Sequence, residues 1–243
     1  MAEKLKYFVN GQFRESKTDK WYDLHNPSTG EVTGQAPCCT NDEVLEAIAA
    51  AKAAYPGWSA TPAIKRAQIL YRVRELILER MDELTMSVAK ENGKVWAESE
   101  GDVLKAKEGT ELATQVPSLM MGESIMDASR GYDTVKYREP LGVFAGIVPV
   151  NFPAMIPFGW MAPTCIAAGN TLVLKAASLT PKTAMLFAQL YKDSGVPDGV
   201  INVVTCSRNE INTILEHPDV KGITFVGSTC LLYTSDAADD GES

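Results

Sequence analysis

The sequence predicts an α/β fold built on a parallel β-sheet with helices on its faces, and two patterns carry that reading. Short apolar runs, TLVLK (171–175), INVVT (201–205) and ITFV (223–226), alternate with helical patterns between them. Strands and helices alternating at this pitch form βαβ units, whose crossovers cover a parallel sheet on both faces. The second pattern is a run without a charged side chain from Leu141 to Leu174. Its length suits a membrane span. Pro149, Pro153, Pro157 and Pro163 recur through it, however, and a lipid-exposed helix has no ready partners for the backbone groups that prolines free. A buried strand from Val143 to Val148, a proline-rich turn and a buried helix account for the run better, so no membrane association is expected.

The first forty residues read as short strands and turns. KYFVNGQF alternates around Asn10-Gly11, a hairpin signal, and NPSTGE is a turn cluster. Thr40 and Glu43 form a capping box, opening a helix whose apolar positions Val44, Ala47, Ile48, Ala51 and Tyr55 run to Pro56-Gly57. Thr61-Pro62 is a cap followed by proline at the first helical position, and Leu70, Val73, Ile77, Met81 and Leu84 form the buried face behind it. Gly93 ends the next helix, Val95 to Ala113 forms another, and Asp133 to Glu139 alternates as an exposed strand. Thr180-Pro181 then starts a helix through Tyr191 that stops at Ser194-Gly195, and Asn209 to Glu216 forms the last one.

Composition narrows the function. The 243 residues provide one large domain or one and a half typical ones. Twenty-three Lys and Arg against 31 Asp and Glu leave a net charge of −8, which argues against nucleic-acid partners or an anionic membrane surface. A small anionic ligand at a local site remains compatible. Five cysteines, none spaced C-x-x-C, and a charged opening MAEKLKYF without a secretory pattern point to reduced thiols in a cytoplasmic protein. His25 and His217 are the only histidines, so neither a His-rich metal site nor a Ser-His-Asp relay is expected.

Parallel sheets place ligands at the carboxyl ends of their strands. Those ends here are Pro149-Val150-Asn151, Lys175-Ala176, Thr205-Cys206 and Gly227-Ser228. The Asn151 amide, between Pro149 and Pro153, is placed to donate to a developing oxyanion, or else to cap the helix that follows. Lys175, ending a buried strand, suits a sugar hydroxyl or phosphate, or else is a solvated strand end. Phe225-Val226-Gly227-Ser228-Thr229 is a glycine-hydroxyl turn suited to a phosphate approaching backbone amides. No G-x-G-x-x-G or Walker sequence is present.

Taken in order, these three motifs resemble the aldehyde dehydrogenase superfamily, and the likeness runs from about Tyr7 to Thr229. Within it the chain is most similar to the CoA-acylating methylmalonate-semialdehyde branch. NGQFRESKTDKWYDLHNPSTGEV, EGDV (100–103), SLMMGES (118–124), NFPAMIP (151–157) and HPDVKGITFVGS (217–228) carry that narrower likeness. The resemblance implies a Rossmann-type NAD-binding domain and a cysteine thiolate that attacks the aldehyde substrate. The amide at Asn151 would hold the oxyanion, and coenzyme A would take the acyl group as co-substrate. It also implies that Val148 and Val150 line the cofactor through their backbone, that Lys175 bonds the adenine ribose, and that Gly227 and Ser228 meet the pyrophosphate. The stretch from about Glu123 to Arg138 matches oligomerisation strands, implying a homotetrameric or homodimeric parent.

The chain departs from the pattern at two positions. Ser178 stands where the family carries a glutamate that bonds a ribose hydroxyl and repels a 2′-phosphate, which leaves NADP open beside NAD. Lys105 stands where the branch carries an arginine that holds the substrate carboxylate, or else is a solvated helix lysine. None of the five cysteines matches the nucleophile's place; Cys165 and Cys206 read as small apolar fillers. The expected organisation is an incomplete cofactor-binding domain over 1–122 and 140–229, oligomerisation strands over 123–139, and a non-native tail over 230–243, where LLYTSDAADDGES breaks the order. The chain is thus expected to be an amino-terminal part of a longer enzyme, inactive and weak in NAD affinity alone, with an aggregation-prone sheet edge. The alternatives are a dehydrogenase that releases a free acid and a non-catalytic nucleotide-binding module.

Overall fold

A computed structural model describes residues 3–228. The NG signal forms the first hairpin: β1 (Tyr7–Val9) and β2 (Gln12–Arg14) pair antiparallel, with Asn10 and Gly11 both at positive φ as a two-residue turn requires. The NPSTGE cluster joins β3 (Trp21–His25) to β4 (Val32–Pro37) in a second antiparallel pair. The predicted capping box is present at Thr40 and Glu43 and opens α1 (Asn41–Ser59).

Three helix boundaries differ from the sequence expectation. The helix expected to carry Leu70 through Leu84 ends at Glu79, leaving Met81 and Leu84 on the next one, and two others shift for local reasons. α1 does not stop at Pro56-Gly57 but continues to Ser59, because the buried Trp58 indole donates to the Ile166 carbonyl at 3.0 Å and holds the last turn. Thr61 does not cap α2 (Ala63–Glu79); its hydroxyl donates back to the Gly57 carbonyl, and Pro62 itself occupies the cap position. Left-handed Gly93 ends α3 (Met81–Asn92) as expected, and α4 (Trp96–Ala113) and the short α5 (Val116–Leu119) follow.

β5 (Glu123–Ser129) and β6 (Tyr132–Lys136) form a hairpin in which every residue is exposed. The strand expected over Asp133 to Glu139 is therefore shifted, starting at Tyr132 and ending at Lys136, where its pairing with Glu123 runs out.

The uncharged run folds as β7 (Val143–Ile147), a π-helical segment (Ile156–Met161) and α6 (Ala162–Ala167). The Asn170 side chain accepts from the Leu141 and Gly142 amides, anchoring the start of β7. β8 (Thr171–Lys175), α7 (Lys182–Asp193), β9 (Ile201–Val204), α8 (Arg208–Glu216) and β10 (Val220–Phe225) complete the βαβ succession. Ser207 and Glu210 cap α8 reciprocally.

The main sheet has the order β10-β7-β8-β9-β1-β2; the first four strands run parallel and β1 joins antiparallel at β9. The α/β fold with a parallel sheet and flanking helices is the one expected. The amino-terminal hairpin extending that sheet was not legible, since its partner strand lies almost two hundred residues away. No helix among the described residues is long and apolar enough to cross a membrane.

The π-helical segment is wedged between α4 and α7. Phe158 stacks on Phe187 with ring centroids 4.9 Å apart, and the buried Tyr191 hydroxyl donates to the Phe158 carbonyl at 3.2 Å. On the other side α4 approaches so closely that a Cβ on Gly109 would lie 2.0 Å from the Gly159 carbonyl oxygen. An alanine inside a helix ordinarily stabilises by about 0.5–1 kcal/mol over glycine. Here the sign reverses: Gly109→Ala is expected to lower the free energy of unfolding by about 1–3 kcal/mol through overpacking, and a variant more stable in urea than the native chain would refute this contact.

α7 is capped from a distance. The first-turn amides of Lys182 and Thr183 donate to the carboxylate of Glu91, near the end of α3. Thr180, at the expected start of this helix, directs its hydroxyl to the Val150 carbonyl. Burial raises the Glu91 carboxyl to about 7 against the pull of those two amides. The folded chain thus keeps a proton that the unfolded chain releases near the ordinary carboxylate range. This contribution to stability is full below about pH 4.5 and is lost as pH rises through about 7, on the order of 3 kcal/mol in all. Glu91→Gln should flatten that part of the pH dependence of urea unfolding between pH 4.5 and 8; an unchanged slope would contradict it.

Candidate active site

β7 emerges in the middle of the parallel strands; β8 and β9 are laid down on one side of it, and β10 returns to the other. Doubly wound sheets hold their ligands at such a reversal, beyond the carboxyl ends of the strands, here β7 and β10. The register makes the edge straight. Ile147 pairs with Phe225 on one side and with Lys175 on the other, and Lys175 pairs with Val204. One row thus crosses four strands, and the chain leaving each of them emerges along one edge of the sheet. The Val226 amide donates to the Ile147 carbonyl at 3.1 Å, so the pairing persists one step beyond the named strands.

Most of the residues singled out from sequence leave from this row. Val148 is buried and Val150 is exposed on the segment after β7. Asn151 follows, exposed, and its side chain makes no hydrogen bond among the described residues. The helical cap that was its alternative role is not formed: the π-helical segment begins without a side-chain cap.

Lys175, at the end of β8, is half-buried and has neither a hydrogen bond nor an ion pair among the described residues. Burial depresses its ammonium pKa, partly offset by the neighbouring Cys206 and Cys38. Ser178 is half-buried on the following turn. Gly227 and Ser228 are exposed beyond β10, and a Cβ on Gly227 would stand 2.6 Å from the Phe225 ring, which would have to move aside to admit it.

Lys105 is not part of this row. It lies on α4, exposed, with its ammonium 2.6 Å from Glu108 one turn along, the geometry of a solvated helix pair. Three of the cysteines among the described residues are poorly suited to act as reactive thiols. Cys39 and Cys206 are buried and Cys165 is partly buried, and burial pushes all three thiols up to about 12.

The sequence reading missed the side chains that hold the Asn151 segment in place. Asn92 donates to the Val150 carbonyl at 2.7 Å, and Asp102 accepts from the Met155 amide at 2.7 Å. One signal was available for Asp102. It recurs with Ser99, Val103, Ala106 and Thr110 at helical spacing, so an acidic residue stands on the buried stripe of α4.

The chain is similar to known proteins along most of its length. Human mitochondrial methylmalonate-semialdehyde/malonate-semialdehyde dehydrogenase [acylating] is 46% identical over 224 residues, covering 92% of this chain and 42% of that protein. Malonate-semialdehyde dehydrogenase 2 of Geobacillus kaustophilus is 44% identical over 227 residues, covering 93% of this chain and 47% of its own length. Among solved structures, a Sinorhizobium meliloti protein assigned as a methylmalonate-semialdehyde dehydrogenase and crystallised with NAD superposes with a TM-score of 0.94 at 33% identity, covering 99% of this chain and 49% of that one. The chain therefore spans less than half the length of the curated relatives it matches. Residues 13–233 match the aldehyde dehydrogenase family, and the chain belongs to that family.

Proposed function

We propose that this segment is the cofactor-binding half of an NAD-dependent, CoA-acylating dehydrogenase that oxidises malonate or methylmalonate semialdehyde to an acyl-CoA. The observation that carries the reading is that Asn151 and Lys175, two polar side chains without partners among the described residues, leave the same row at the edge of the sheet. The residues fit a dinucleotide. Lys175 offers a half-buried ammonium to ribose hydroxyls, Gly227 and Ser228 offer an open turn to phosphates, and the Val148 and Val150 backbone lines the route toward Asn151. When bound, NAD supplies the hydride acceptor. Ser178, in place of an acidic residue, leaves room for NADP as a second acceptor.

Asn151 acts on the aldehyde. As the carbonyl carbon becomes tetrahedral, charge gathers on its oxygen, and an amide N–H already aimed there stabilises that charge more than it stabilises the flat ground state. The family likeness assigns the nucleophilic cysteine to the part of the parent enzyme outside this segment, and the thiols of Cys39, Cys165 and Cys206, which burial keeps neutral, are consistent with that. Acyl transfer to coenzyme A is favoured over hydrolysis because the curated relatives include an enzyme named as acylating. Lys105 is retained as a contact for the substrate carboxylate; that role requires it to exchange Glu108 for the substrate. The fully exposed β5–β6 hairpin presents Ile125, Met126, Tyr132 and Val135 to solvent, which suits oligomerisation strands of a homodimer or homotetramer.

In a full-length enzyme carrying this segment, Asn151→Ala is expected to lower kcat by about 10²–10³ with little change in the KM for NAD. Lys175→Met is expected to raise that KM about tenfold, the loss of one charged hydrogen bond, with kcat nearly intact. Steady-state kinetics checks both. Mass spectrometry of the products checks the acyl acceptor: acyl-CoA is expected, and a free acid alone in the presence of coenzyme A would replace the acylating assignment with the hydrolytic one.

A further inference from the structure

The geometry points to Asp102, held by Lys94, as the positioning residue that fixes the oxyanion-holding amide of Asn151. This inference rests on the role proposed for Asn151. The Asp102 side chain is fully buried, and its two oxygens have separate tasks. Oδ1 accepts from the Met155 amide at 2.7 Å, and the Ala154 amide also points to the carboxylate. Oδ2 meets the Lys94 ammonium at 3.0 Å. The same ammonium stands 4.0 Å over the ring of Phe152, the residue next to Asn151. Upstream, the Asn92 side chain donates to the Val150 carbonyl.

The Asn151 segment is therefore gripped on both sides, at Val150 and at Phe152 to Met155, while the Asn151 amide itself stays free. Apart from the Thr180 hydroxyl, which also donates to the Val150 carbonyl, the grips come from the end of α3, the turn at Gly93 and α4. A buried carboxylate is costly to desolvate, and helix α4 would pack as well with an apolar residue on that stripe. The carboxylate spends its bonds on the segment after β7 and on Lys94, which covers Phe152. An amide donor is effective only when held close to the place where charge develops, and a displacement of about 1 Å costs about 10²-fold in rate.

The test is a double-mutant cycle in a full-length enzyme carrying this segment, with kcat expressed per titrated active site. Asp102→Asn keeps the shape and an acceptor for Met155 but removes the charge that holds Lys94, so it is the variant suited to folding; Lys94→Met removes the same ion pair from the other side. Each is expected to lower kcat about tenfold with the KM for NAD changed less than threefold. In an Asn151→Ala background each is expected to change kcat less than twofold, because the group they position is gone. An equal fold-loss in both backgrounds would overturn the positioning role and leave Asn151 in place. An Asn151→Ala enzyme with unchanged kcat would overturn the oxyanion assignment itself, and the role of Asp102 with it.

Discussion

The parallel pairing of Ile147 with Phe225 on one side and Lys175 on the other is the constraint on which the site depends. Parallel strands require crossovers, and crossovers place the strands' carboxyl ends on one edge. Because β10 returns across β7 rather than continuing beyond β9, the chain segments that leave these two strands, Val150-Asn151 and Gly227-Ser228, follow neighbouring strand ends at the reversal. A one-residue slip of β8 would turn Lys175 to the other face of the sheet and remove its ammonium from the row. The buried apolar strands Val143–Ile147 and Thr171–Lys175 resist such a slip, since it would exchange their packed faces.

That scaffold positions backbone, not side-chain amides. Among the described residues the segment between Ile147 and Ile156 has no strand partner of its own past Val226, and it ends in a π-helical turn, a conformation that recurs at functional sites. Its rigidity comes from polar side chains donated by α3 and α4 and from the apolar wedge of Phe158 against Phe187 and Tyr191. Two kinds of force thus divide the work. Apolar packing sets how far the segment sits from the sheet, and the buried hydrogen bonds set where along it Asn151 emerges.

The parallel strands, the capping box at Thr40 and the hairpin at Asn10-Gly11 were legible because each is a short-range pattern with a local physical cause. The candidate row was legible for the same reason: Asn151, Lys175 and Gly227 each end an apolar run. What escaped was long-range. Glu91 caps α7 across ninety residues, Thr180 turns away from the helix it precedes, and Trp58 carries α1 past Pro56-Gly57 by reaching Ile166. β1 joins the sheet beside β9 with nothing in Tyr7–Val9 to name its partner. Family likeness supplied roles for Asn151 and Lys175 that spacing alone left divided between two readings each.

The central claim is that Asn151, Lys175 and Gly227 face one dinucleotide beyond the carboxyl ends of β7, β8 and β10. A crystal structure of the full-length enzyme with NAD bound tests it most directly. The account predicts a ribose against the Lys175 ammonium, phosphates at the Gly227-Ser228 turn and the nicotinamide ring directed toward Asn151. A cofactor bound on any other surface, or one that leaves the Lys175 ammonium without contact, would contradict it.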